Sequence, residues 1–418
     1  MLTETDADVV RRDPALPGLG AVLDPDRLGE LLRPALPERE IGAGRIGWIR
    51  YRPHDFCRAA YRFEVSGGEI DVGLHACLPA ELSEWRGNGH GGERLVLEDL
   101  ALIVSVFPND PKLIGLASLE ETADRPEVLR ALLPDRPELW HGELRRLRYR
   151  PERRFTAELR SGESRVLVKS YTRRGFQRSQ SNARAFVSRG PLRVARLLGA
   201  SKPYRLLAFE WLPGRMLRDL CNKTELDEGS VALTGAALAE LHAQDPEGFV
   251  PWTRDAELAD LATIRSEVAF LAPGLARRAE TVGGRISARI AAAAPRSGAM
   301  HGDFTGFQVL VDGDVAGIID LDLACCGDVT DDLGNFLAQT ERMALHGTLT
   351  PTQVARIGSA LLDGYAGVAG ALPGDVPLYT ALQLFRRSRF PFRAREPEWP
   401  ARMAELIDRA EAILNAGS

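Results

Sequence analysis

A chain of 418 residues, 44% hydrophobic and 27% charged, is too long for one ordinary domain and has the make-up of a water-soluble globular protein, which excludes disordered and fibrous classes. No apolar run approaches the roughly 18 residues of a membrane span. The acidic start MLTETDADVV lacks an export signal's basic-then-apolar order. Five cysteines, Cys57, Cys77, Cys221, Cys325 and Cys326, are odd in number and lack metal-ligand spacing, as expected of reduced thiols in a cytoplasmic protein. Of the 53 basic residues only Lys112, Lys169, Lys202 and Lys223 are lysine. Net charge is +5 over residues 1–208 and −10 over 209–418, and the acidic second half argues against a nucleic-acid partner.

Along the chain, an internal echo comes first. Ile49-Arg-Tyr-Arg-Pro53 followed by Arg58–Phe63 resembles Leu147-Arg-Tyr-Arg-Pro151 followed by Arg154–Leu159, and each reads as strand, proline turn, strand. Residues 1–138 are therefore expected to form a β-rich cap that imitates the start of the next domain. Within it, the glycine-rich run Gly87–Gly92 lacks the Lys-Ser/Thr and helix of a phosphate loop. Pro108–Pro111 is a turn and Pro126–Arg136 a short helix. From 139 the pattern predicts strands at Glu143–Arg150, Phe155–Leu159 and Arg165–Tyr171, a helix at Gln180–Ser188, and an apolar strand from Tyr204 that stops at Pro213-Gly214. Beyond Gly214 the chain turns helical. Val231–Gln244 is an Ala/Leu helix, Thr350-Pro351 starts another with Val354, Ile357, Leu361 and Tyr365 on one face, and Met403–Leu414 carries the last apolar stripe. The plan is α+β with two lobes and three parts: a cap over 1–138, a β-rich lobe over 139–213 and a mostly helical lobe over 214–418. A small ligand is expected between the lobes.

The chemistry is concentrated in HGDFTGFQVLVDGDVAGIIDLDLACCGD, residues 301–328. Asp303 follows a glycine turn and can accept or orient the proton of an acceptor hydroxyl, worth about 10²–10⁴-fold in rate. Gln308 precedes the strand Val309–Val311, and Asp320 ends the strand Gly317–Asp320. Pairing of these strands through Asp312-Gly-Asp314 brings Gln308 and Asp320 to one end, facing one oxygen-liganded cation. Lys169, mid-strand in an arginine-saturated chain, suggests a compact point charge in place of a planar fork.

These residues resemble the aminoglycoside phosphotransferase and choline kinase family, which shares the protein-kinase fold. The resemblance covers about 139–418 and rests on His301-Gly-Asp303, Gln308 and the run from Ile319-Asp320 to Gly327-Asp328. It implies that Asp303 takes the acceptor hydroxyl, Gln308 and Asp320 hold magnesium, Lys169 holds the α/β-phosphates, and Glu210-Trp211-Leu212 lines ATP through its backbone. His301 would brace the loop, and Asp332 would cap the helix Leu333–Gln339. Leu333–Met343 and Leu378–Trp399 would line the acceptor, with Glu341, Arg386, Arg387 and Trp399 as contacts. Three departures stand out. Gln308 replaces the usual Asn and reaches roughly 1.5 Å further, a feature shared, with an N-terminal cap, by a branch that resembles maltokinases. No acidic residue lies between Lys169 and Glu210, leaving Gln177, Gln180 or Asn182 as neutral partners for the lysine. The turn Arg150–Arg154 has no glycine. The expected activity is ATP- and Mg2+-dependent phosphorylation of a small hydroxylated metabolite, a sugar or amino sugar. An antibiotic phosphotransferase and a nucleotide-binding pseudokinase are the alternatives.

Overall fold

The computed structural model describes residues 2–86, 94–222, 226–294 and 296–416, so Gly87–Gly92 and Lys223 lie outside the described residues. The chain divides into two compact units. One comprises Met1–Phe176, Leu198–Phe209 and Phe390–Trp399; the other Gln177–Leu197, Glu210–Arg389 and Pro400–Ser418. The fold is α+β, as the alternation of β-rich and helical stretches predicts.

In the first unit, helices α1 (Glu4–Arg12), α2 (Leu19–Leu23) and α3 (Pro25–Leu32) precede strands β1 (Gly44–Arg52), β2 (Phe56–Val65) and β3 (Gly68–Ala76). Helix α4 (Leu82–Arg86) and strands β4 (Arg94–Leu97) and β5 (Leu102–Val106) complete an antiparallel sheet in the order β1-β2-β3-β5-β4. Alternation decides the faces: Cys57, Ala59, Tyr61 and Phe63 of β2 are buried, and Arg58 and Arg62 point the other way. Then come α5 (Leu116–Glu120), α6 (Arg125–Leu132), β6 (Glu143–Arg150), β7 (Arg154–Ser161), β8 (Ser164–Tyr171), α7 (Arg173–Ala185), β9 (Leu192–Val194), β10 (Leu197–Ser201) and β11 (Leu206–Glu210). A second sheet runs β6-β7-β8-β11-β10. Phe155, Ala157, Leu159, Val166 and Val168 pack there against Leu129, Leu132 and Leu133 in one apolar cluster.

The echo seen in the sequence extends to both five-stranded sheets of this unit, which are two copies of one arrangement. Both sheets place their strands in the chain order first, second, third, fifth, fourth. Tyr51 Oη donates to Asp13 Oδ2 (2.6 Å) and the His54 N–H donates to the same oxygen (3.0 Å). In the second copy Tyr149 Oη and the Glu152 N–H donate to Asp110 Oδ2 at 2.9 and 2.7 Å. His54 and Glu152 share a left-handed backbone, φ 60° and 56°. So do Ala101 and Arg205, φ 44° and 52°, whose carbonyls accept from Cys77 N–H and Tyr171 N–H at 3.1 Å each. Gly18 and Gly115 are matched as well: a Cβ would meet Leu100 O at 2.6 Å in one and Tyr204 O at 2.3 Å in the other. A shared Asp-Pro-x-Leu-x-Gly-Leu, starting at Asp13 and Asp110, underlies these contacts and went unread in the sequence. The second copy thus begins near Asp110, upstream of the boundary proposed at 138.

The second unit holds β9 in a sheet ordered β12-β14-β15-β9, built with β12 (Arg215–Met216), β14 (Val309–Asp312) and β15 (Val315–Ile318). Helices α8 (Leu217–Leu220), α9 (Glu228–His242), α10 (Arg254–Leu271) and α11 (Ala276–Ala292) separate β12 from the ribbon strand β13 (Gly298–Met300), which pairs with β16 (Cys325–Gly327). Helices α12 (Thr330–Leu345), α13 (Pro351–Ala369) and α14 (Val376–Arg387) follow; α15 (Phe390–Arg393) returns to the first unit and α16 (Trp399–Ala416) ends the chain. Thr350 starts α13 in a capping box with Gln353, and Ile357, Leu361 and Tyr365 are buried, as the sequence predicts. The helix expected at Gln180–Ser188 runs instead from Arg173, because Thr172 Oγ1 accepts the Gly175 N–H (3.2 Å). Its buried stripe of Phe176, Ser179 and Asn182 is mostly polar and leaves no apolar period.

Replacing Asp13 or Asp110 by Ala strands a tyrosine hydroxyl, of the buried Tyr51 or the half-buried Tyr149, and a peptide N–H. Each substitution should destabilise the protein by at least about 2 kcal/mol, read by chemical denaturation.

Candidate active site

The β14–β15 hairpin sets the spacing of the oxygen donors. Val309 pairs with Ile318 and Asp312 with Val315, so the chain reverses at Gly313-Asp314. At the open end Ile319 N–H donates to Gln308 O (2.9 Å), and Gln308 and Asp320 flank that end. Thr305 Oγ1 donates to Gln308 Oε1, which fixes the amide oxygen. Asp320 is left-handed (φ 67°), a conformation that costs a non-glycine residue energy and bends the chain out of the strand.

The loop before the hairpin hangs on one buried carboxylate. Asp332 Oδ2 accepts the His301 N–H (2.6 Å) and faces His242 Nε2 (3.1 Å), and Oδ1 accepts the Gly302 N–H (2.9 Å). Burial works to raise this carboxyl, but the His242 hydrogen bond and charge, with the His301 N–H, hold it below the usual carboxylate range. The helix cap expected of Asp332 is therefore corrected. Helix α12 starts at Thr330, and Asp328 accepts the Thr330 N–H (3.0 Å), so Asp332 lies inside the first turn and reaches the loop. His301 braces the same loop. Its Nδ1 accepts the Asp303 N–H (3.2 Å), so the proton sits on Nε2, which donates to Ile319 O (2.9 Å). At Gly302 (φ 78°) a Cβ would come within 2.4 Å of Leu323 O, so no side chain fits. Phe304 is fully buried against Phe336. Asp303, between the buried His301 and Phe304, is exposed.

Helix α7 supports the segment after Asp320. Asn182 Nδ2 donates to the carbonyls of Leu321 (3.0 Å) and Ala324 (3.1 Å), and Arg178 Nη2 donates to those of Leu323 (2.7 Å) and Ala324 (3.1 Å). Asn182, expected as a neutral partner of Lys169, is thus committed to this loop, and Gln177 is exposed. Among the residues expected at the acceptor, Arg386 pairs with Glu257 (2.7 Å), Asp260 (3.0 Å) and Asp331 (3.3 Å), of which Glu257 and Asp331 are buried. Glu341 is gripped by both Arg409 nitrogens (2.8 and 2.7 Å), and Trp399 Nε1 donates to Asp6 (3.2 Å) in the first unit. Arg387 remains beside the loop. It donates to Gln383 O (3.2 Å) and Gln383 Oε1 (3.1 Å), while Asn335 Nδ2 donates to Phe304 O (3.0 Å) and Asn335 O faces Arg387 Nη2 (3.4 Å). Burial pushes the Arg387 guanidinium down to about 10, with the Asp303 carboxylate opposing and Arg342 adding to it.

The candidate nucleotide residues are placed as follows. Lys169 is buried on β8 opposite Thr156, its ammonium 5.5 Å from the Phe209 ring centroid. Glu210 spends its N–H on Arg196 O (2.9 Å), and its carboxylate, which burial would raise, is lowered by hydrogen bonds from Arg196. The Glu210 N–H is therefore no donor for a ligand. Leu212 is buried next to Gly317 of β15, and Trp211 is half-buried. Among the described residues no three His, Cys, Asp or Glu side chains cluster as a metal site, and no helix is long and apolar enough to cross a membrane.

A family model, the phosphotransferase enzyme family APH, matches residues 153–371, and the chain belongs to that family. Membership makes it a small-molecule phosphotransferase. No curated protein matches in sequence. A thermostable mutant of aminoglycoside phosphotransferase APH(4)-Ia, in ternary complex with ADP and hygromycin B, superposes with a TM-score of 0.51 at 14% identity, over 71% of this chain and 99% of its own. A choline/ethanolamine kinase family protein from Mesorhizobium loti gives 0.48 at 16% identity over 70% and 95%. Choline kinase from Cryptosporidium parvum Iowa II gives 0.49 at 11% over 71% and 96%. At 14% identity the likeness to the first of these speaks to the fold alone.

Substituting Asp332 by Ala removes the acceptor of two loop N–H groups and leaves His242 with Tyr365 but without its buried carboxylate. We expect a loss of about 3–5 kcal/mol in denaturant unfolding, together with loss of phosphate transfer.

Proposed function

We propose that the protein is an ATP- and Mg2+-dependent O-phosphotransferase whose acceptor is a small hydroxylated metabolite, a sugar or amino sugar first. The observation that carries this reading is the exposed Asp303 on a loop clamped by Asp332, with the Gln308 and Asp320 oxygens at one end of the next hairpin. Magnesium takes hard oxygen ligands and keeps room for phosphate, and one amide oxygen plus one carboxylate fit that demand. Gln308 and Asp320 would hold it, and Mg2+ would supply neutralisation of phosphate charge when bound. Asp303 orients the acceptor hydroxyl and takes its proton as the oxygen attacks the γ-phosphorus and ADP leaves. Lys169, compact and buried, suits the α/β-phosphates. The ADP held by the superposed phosphotransferase supports a nucleotide donor.

The charge beside Asp303 bears on the acceptor. Arg387 sets a guanidinium close enough to feel this carboxylate, Arg342 adds a second positive charge beside Arg387, and Glu341 is paired with Arg409. Such a field repels a polycation, which favours a sugar over an aminoglycoside.

The test is phosphate incorporation from ATP across hexoses, hexosamines, maltose and aminoglycosides. Failure of every sugar would sink the acceptor class. Asp303→Ala should lower transfer at least about 10²-fold while isothermal titration still shows Mg–ATP binding; wild-type turnover would remove Asp303 from its role. Asp320→Asn should raise the Mg2+ concentration for half-maximal rate by about tenfold or more, measured by metal titration.

A further inference from the structure

The β6–β7 turn, Pro151-Glu-Arg-Arg154, occupies the place where the family resemblance expects a glycine-rich cover over phosphates. It is held down by the first repeat, through Arg58, His75 and Gly73, together with Lys112 at the start of the second. The Glu152 side chain, 8% exposed, meets Lys112 Nζ (2.7 Å) and Arg58 Nε (3.2 Å) at Oε2 and His75 Nδ1 (3.2 Å) at Oε1. The contacts at Oε2 are ion pairs off hydrogen-bonding geometry, so charge dominates the grip there. Burial would raise the carboxyl, but the His75 hydrogen bond and charge, then Arg58 and Lys112, bring it down to about 2. Pro151 sits on Gly73 of β3, where a Cβ would lie 2.8 Å from the proline Cβ. The Glu152 N–H is fixed by Asp110, which also accepts the Lys112 N–H (2.8 Å).

The repeat gives these contacts a meaning. In the second copy Thr156 pairs with Lys169 across β7 and β8, one step from the Phe155–Ser170 pair. In the first copy Arg58 pairs with His75 across β2 and β3, one step from Cys57–Ala76. His75 therefore occupies the strand position in the first copy that Lys169 occupies in the second. The anion that His75 and its neighbours hold is the carboxylate of the second copy's turn. Lys112, one of four lysines, completes the set.

We propose that Glu152 is a positioning residue for the nucleotide: the first repeat is a seat that presets the β6–β7 turn, so that the turn meets the triphosphate without being ordered on binding. The proposal rests on the ATP reading above. A preset turn lowers the entropy cost of closing on the ligand and removes the need for glycine.

Mg–ATP affinity measured by isothermal titration, well below the thermal midpoint, tests it on four full-length proteins: wild type, Glu152→Gln, Lys112→Met and Asp6→Asn. Asp6 is an equally buried carboxylate of the same unit, paired with Arg395 and Trp399 away from the turn, and serves as a stability control. Glu152→Gln should weaken binding about tenfold or more and Lys112→Met about threefold or more, with Asp6→Asn within about twofold of wild type whatever its loss of midpoint. If Glu152→Gln does not fold, Lys112→Met decides. Wild-type affinity in the turn variants, or equal weakening in Asp6→Asn, overturns the positioning role while leaving the ATP reading intact. A wild type that binds no Mg–ATP overturns both.

Discussion

The Asp332 carboxylate is the constraint on which the candidate site depends. An ionised carboxyl buried to 1% exposure is costly unless it is fully partnered, and here it receives two consecutive peptide N–H groups and an imidazole. Those N–H groups belong to His301 and Gly302, so the backbone just before Asp303 has one permitted path. Gly302 follows that path because no Cβ fits against Leu323 O. His301 closes the other side by bridging the Asp303 N–H and Ile319 O, which ties the loop to the far strand of the hairpin. The exposed carboxylate is thus aimed by backbone contacts on both sides, an arrangement that resists small displacements better than side-chain packing alone.

Three acids within five residues do three different jobs, and this division explains why the run is acidic. Asp328 takes the Thr330 N–H and the Tyr379 hydroxyl (2.8 Å), which sets the start of α12 against α14. Asp331 accepts from Gln383 (2.8 Å) and pairs with Arg386, where burial raises its carboxyl against the guanidinium. Only Asp332 points at the loop. These three acids are committed to internal contacts and so do not bear on the charge of an acceptor.

Legibility followed sequence distance. Gln308 and Asp320 could be placed at one end of a hairpin because the turn Asp312-Gly-Asp314 and both strands lie within a dozen residues. The start of α13 was equally local, a threonine cap with proline behind it. Asp332 was misread because its partners are thirty residues upstream, and a first-turn aspartate satisfies capping statistics whether or not it caps. The repeat was seen only as two Arg-Tyr-Arg-Pro hairpins. Asp13 and Asp110, which anchor those hairpins, sit about forty residues before them, and the short sequence they share takes on meaning only through the matched hydrogen bonds. Helix α7 was shifted because its buried face is polar, so the periodicity used to find helices was absent.

The departures from the family pattern resolve into one physical theme, the replacement of mobile or charged elements by fixed polar ones. A glycine-rich turn gains its shape on binding; this turn is held by a left-handed glutamate whose N–H and carboxylate are both occupied. A helix carboxylate facing the strand lysine would act by charge. Helix α7 instead offers Arg178 and Asn182 as donors to the carbonyls of four consecutive residues of the segment behind Asp320, adding to the Ala324 N–H that Leu321 O already accepts. Donors aimed at carbonyls favour one backbone geometry and are insensitive to pH and to nucleotide charge. The absence of an acidic residue from α7 therefore does not imply a site that has decayed: in place of a charge contact the helix makes a scaffold contact with the segment behind Asp320, the residue proposed above to hold the metal.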